Sequence, residues 1–84
     1  MTPSDLSDKA LAVFAFALYH QLSSGEPVSR VVIHDGAGHQ ADPDAIAELA
    51  AAGLASVEDD RLVFSASGLA MATVLLGRMR GADR

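Results

Sequence analysis

Cysteine and tryptophan are absent from the 84 residues, and cations are scarce: Lys9, Arg30, Arg61, Arg78, Arg80 and Arg84 are all there are. Without a thiol the chain has no disulfide framework and no thiolate ligand for a metal. Eleven acids against six cations leave a formal charge of −5, which repels a polyanion at long range. No apolar run reaches membrane length. The longest, Ala10 to Tyr19, is about half of the ~20 residues that cross a bilayer. The N-terminus places Asp5 and Asp8 where a secretory leader would carry Lys or Arg, and no cleavage pattern follows, so the chain reads as cytoplasmic. Aromatics are few: Phe14, Phe16, Tyr19 and Phe64.

What is plentiful is small and apolar. Half of the residues are hydrophobic, and Ala supplies much of that half, which favours helices with close backbone approach. The length allows one domain, spanning residues 1–84. Domains of this size bury only roughly 60–65% of their unfolded surface, so their margin over conformational entropy is thin and association with a second copy is a common remedy.

Helix signals occur three times. Ser4 or Ser7 can cap a first helix running from about residue 5 or 8 to 22, with Asp5 and Asp8 complementing its dipole. Leu11, Phe14, Leu18 and Leu22 form one apolar stripe on it, while Val13, Phe16 and Ala17 form a second. Asp42 caps a second helix over about 43–52, with Pro43 at its first position, Asp44 in its first turn and Gly53 closing it. Its buried face is expected to carry Ile46, Leu49, Ala50 and Gly53, leaving Asp44, Glu48 and Ala51 outward. Ser65 caps a third helix over about 66–80, whose apolar residues again cover more than one face.

Between these lie β signals. Residues 55–65 read as a hairpin, with Val57 on one arm, the polar turn Glu58 to Arg61, and Leu62, Val63 and Phe64 on the other. Residues 28–41 have two readings: a hairpin built on Val31, Val32 and Ile33 with its turn at Asp35 to Gly38, or a short second helix from Ser29 to Asp35 followed by a turn. The fold class is α+β, three main helices with short hairpins.

The run Leu49-x-x-x-Gly53-Leu54, a hairpin, and Phe64-Ser65-x-x-Gly68 resembles the winged-helix superfamily of small transcriptional-regulator-like domains. The match covers about residues 42 to 76. The resemblance implies a recognition helix at 43–52, a wing at 55–65, DNA binding and a homodimer. Residues 28–41 depart from the pattern, carrying Gly36, Gly38 and a β-rich run where a full second helix usually stands.

The charges depart further. From Val31 to Asp60 there is no Lys or Arg against seven acids, and the outward face of the supposed recognition helix offers Asp44 and Glu48, not the Arg, Lys, Asn or Gln that read base edges. Two functions therefore stand. In the first, a dimeric regulator holds DNA with Arg30, Arg61, Arg78 and Arg80. In the second, an acidic module uses Asp44 and Glu48 to bind a basic protein or to mimic nucleic acid. In either, the two apolar terminal helices leave Val13, Phe16, Leu76 and Met79 for a two-fold dimer contact.

Other chemistry finds little support. His34 and His39 would be cross-strand neighbours if residues 28–41 form a hairpin, but two histidines make no strong metal signal, and no cofactor is expected. The segment Asp35 to His39 lacks phosphate-loop spacing, and His20 near a helix end is explained by the dipole. No nucleophile, base and oxyanion donors converge, and so small a chain encloses no ordinary substrate pocket; neither an enzyme nor a small-molecule substrate is indicated.

Overall fold

The computed structural model describes residues 2–26, 28–33 and 42–81. In order along the chain come a short 3-10 turn (Pro3–Asp5), α1 (Asp8–Ser24), β1 (Arg30–Val32), α2 (Pro43–Ala51), β2 (Ala55–Glu58), β3 (Arg61–Phe64) and α3 (Ala66–Met79). The architecture is α+β: three helices and one antiparallel sheet in the order β1-β3-β2.

Each helix begins where a hydroxyl or carboxylate can accept orphan N–H groups. Ser7 accepts from Ala10 N–H, Asp42 from Asp44 N–H and Ser65 from Gly68 N–H. Ser7, not Ser4, caps α1. Ser4 falls inside the 3-10 turn, where the Asp5 carboxylate accepts Thr2 N–H. Leu6, extended just after this turn, is buried in the core.

The hydrophobic stripe of α1 lies between the two expected ones. Ala10, Val13, Phe14, Ala17 and Leu18 are buried, at i, i+3, i+4, i+7 and i+8, and Leu11 and Phe16 flank them half-buried. Val13 is only 6% exposed, so the expectation that it lies at a subunit contact is corrected: it is a core residue. On α2 the buried face is turned similarly. Ala45 and Leu49 are buried with Ile46 and Ala52 beside them, while Ala50 and Gly53, expected inside, are exposed.

β1 finds its partner far along the chain. Arg30, Val31 and Val32 pair with Val63, Leu62 and Arg61 of β3, so the helical reading of this segment is overturned for Arg30–Val32. The strand's turn and return arm in the hairpin reading fall on residues 34–41, outside the described residues, as do His34 and His39. β2 and β3 make the expected hairpin around Asp59 and Asp60, with Glu58 opposite Arg61. Alternation puts Val31, Ala55, Leu62 and Phe64 on the inner face, where Phe64 stacks on Phe14 with ring centroids 5.1 Å apart.

One corner locks α2, the hairpin and α3 together. Gly53, at φ 75°, ends α2 in a left-handed conformation that L side chains rarely adopt, and Leu54 N–H reaches back to Leu49 C=O at 2.9 Å. The Leu54 carbonyl then accepts Ser65 N–H, and Ser65 Oγ donates to the Gly53 carbonyl at 2.7 Å. Gly68 lies so close that a Cβ there would sit 2.0 Å from Leu54 O. The sequence pattern from Leu49 to Gly68 is thereby accounted for by packing and capping.

Candidate functional site

The acids of α2 meet the N-terminus of α1. Ser7 donates twice to Glu48, through its N–H to Oε2 at 2.9 Å and through its hydroxyl to Oε1, while its own oxygen caps Ala10 N–H. Lys9 Nζ lies 3.4 Å from both Asp42 Oδ2 and Asp44 Oδ2. These contacts join positions 33 to 41 residues apart, and neither the caps nor the periodicity announces them. The sequence signal was slight: Lys9 is the only cation ahead of Arg30.

The titration behaviour follows from these contacts. The Ser7 hydroxyl, then its N–H, hold the Glu48 carboxyl below its ordinary range. Asp42 is lowered first by Asp44 N–H and then by Lys9, and Lys9 is raised by the hydrogen bond and charge of Asp42, then by Asp44. Asp5 is lowered chiefly by Thr2 N–H.

Asp44 and Glu48, expected side by side on a partner-facing surface, therefore differ. Asp44 stays open to solvent, its side chain 85% exposed, while Glu48 is half-buried and committed to Ser7. The remaining solvent face of α2 consists of Pro43, Ala47, Ala50 and Ala51. It carries no side-chain hydrogen-bond donor.

The described arginines fall into two groups. Arg30 and Arg61 share the outward face of the sheet, because Arg30 opposes Val63, two residues beyond Arg61 on β3. As diagonal neighbours their backbones stand roughly 7–8 Å apart. Arg61 also faces Glu58 across the hairpin and lies 4.0 Å from Asp60. Arg78 and Arg80 are on the last turns of α3 and at its end, both exposed.

Of the other residues expected at a dimer contact, Phe16 is half-buried with its ring edge-on to His20 at 4.5 Å, on the α1 stripe that also carries Lys9. Leu76 is half-buried on α3, and Met79 is 62% exposed. Leu69 joins these two on one flank of α3 at i, i+7 and i+10, a grouping that the sequence reading did not single out. Leu22, at the end of α1, lines a shallow depression with Arg80 beside that flank.

Among the described residues no group of three or more His, Asp or Glu could hold a metal ion, and no helix is long and apolar enough to cross a membrane. No protein-family model matches the chain, and comparison with curated proteins and with solved structures finds no match either.

Proposed function

We propose that the chain is a small winged-helix-like protein-interaction module that associates with itself and presents α2 to a basic protein surface, without reading DNA. One observation carries this reading: the solvent face of α2 holds Asp44 and small apolar residues and no donor, and the adjacent cation, Lys9, is engaged by Asp42 and Asp44. A helix so furnished offers base edges only one carboxylate acceptor and methyl groups, with no donor, and meets the phosphates with like charge. Against a cationic protein the same face gains charge attraction, and its alanines permit close approach.

The order α1, β1, α2, hairpin, α3, with β1 added to the hairpin, supports the winged-helix-like description. Self-association draws its support from Leu22, Leu69 and Met79, exposed apolar residues on the two terminal helices.

The alternative, a DNA-binding regulator, is favoured by Arg30 and Arg61 on one sheet face. Fluorescence anisotropy of a labelled random-sequence duplex at low salt decides between the two. The expected result is no saturable binding. A saturable signal that vanishes in the Arg30→Gln, Arg61→Gln double variant would establish the DNA reading and remove the first.

A further inference from the structure

An open groove of about 420 Å³ runs along α3 on the side away from Leu69, Leu76 and Met79. Its α3 wall is made by Ser67, Ala70, Val74 and Arg78, which recur at i, i+3, i+7 and i+11, so the groove extends roughly 16 Å along the helix. Leu54 and Met71, both buried, form the floor, and the Thr2–Pro3 segment closes the far side. The helix wall is thus apolar in the middle, with a hydroxyl at one end and a guanidinium at the other.

Two features distinguish this groove from an ordinary surface crease. First, Arg78 is the only charged residue among the described ones that line it, and no ion pair or hydrogen bond engages that guanidinium among the described residues, which include nine acids. Second, the wall is built from small residues exactly where bulk would fill it: Ala70 stands on the rim and Val74 is left 44% exposed above buried Met71. The volume lies within the ~300–1,000 Å³ range of small-molecule sites.

We propose that this groove binds a small amphipathic carboxylate, its anionic head on Arg78 and its apolar body laid over Val74, Met71 and Leu54. The charge complementarity selects the class. A neutral hydrocarbon leaves the Arg78 fork unused, whereas a carboxylate accepts two parallel N–H bonds from it. A chain of about eight carbons fits within the ~16 Å run along α3. The site is independent of the α2 surface in the proposed function, since it uses a different face, so either can fail without the other.

The test uses the intact chain with octanoate as probe and octan-1-ol as its uncharged counterpart, read by amide chemical shifts. Octanoate should shift Ala70, Val74 and Arg78 saturably, and octanol should bind at least about tenfold more weakly, the loss that follows when a charged hydrogen bond is removed. Arg78→Gln should reduce octanoate affinity by about the same factor. Arg80→Gln removes the same charge on another flank and should leave it unchanged. Ala70→Phe, at an exposed position, should block the groove without unfolding the helix. The proposal is overturned by any of three results: no saturable shift at these residues, equal affinity for acid and alcohol, or equal loss in the Arg78 and Arg80 variants. A groove sealed by a second copy of the chain would appear as the first of these.

Discussion

A methyl group at position 68 would land on the Leu54 carbonyl, and neither neighbour can retreat, because the same carbonyl accepts Ser65 N–H and the same turn is capped by Ser65 Oγ. Gly68→Ala should therefore cost at least about 2 kcal/mol, as overpacking against backbone does. Chemical denaturation measures it, and a variant of wild-type stability would mean the corner can open. Glu48 makes a different residue-scale prediction. Its carboxyl titrates below the ordinary 4.5 in the folded chain, so the stability it contributes is fully present above that value and is lost as pH falls through the folded pKa. Replacing Glu48 by Gln should lower the melting temperature at neutral pH, and the difference should shrink as the pH falls through the folded pKa of Glu48. Lys9 works in the opposite sense: its pKa is raised above 10.5, so its contribution is present below that value and fades only as the pH climbs through the folded value.

At the scale of elements, what could be read from the chain depended on how local the cause was. The starts of α2 and α3 follow from Asp42, Pro43 and Ser65, and the hairpin from the apolar residues either side of Asp59 and Asp60; each is set by neighbours a few residues away. For β1 the strand was one of two readings that the sequence left open, and its partner β3 lies 31 residues further on; nothing in Arg30–Val32 encodes that pairing. The same limit applies to Ser7 with Glu48 and to Lys9 with Asp42. Val13 was misplaced for another reason: two apolar stripes on one helix leave open which lines the core, and the choice is made by the elements that pack there. The hairpin offers a test of its own. Asp59 sits at φ 57°, a region that costs an L residue energy and a glycine almost none. Asp59→Gly should stabilise the domain by about 0.5 kcal/mol after the entropy of the unfolded glycine is subtracted. A destabilised variant would show that the Asp59 side chain does more in the turn than tolerate it.

For the molecule as a whole, the question is what becomes of apolar surface that so small a fold cannot cover. α1 buries one stripe and α3 buries only Gly68, Met71 and Ala72, leaving Leu69, Leu76 and Met79 along the flank that a second copy would occupy. A two-fold contact places like residues opposite one another, so a charge introduced there is met by its own copy as well as by hydrocarbon. Met79→Asp should accordingly convert a dimer to a monomer in sedimentation at micromolar concentration. Because Met79 is 62% exposed in the single chain, the variant should keep its helical circular dichroism, separating loss of association from loss of fold. Arg78 and Arg80 flank Met79, so the added carboxylate also lies between two cations that moderate its repulsion. Met79→Lys, without that relief, should dissociate the pair more completely. A wild-type chain that sediments as a monomer at these concentrations would leave the flank without its proposed occupant.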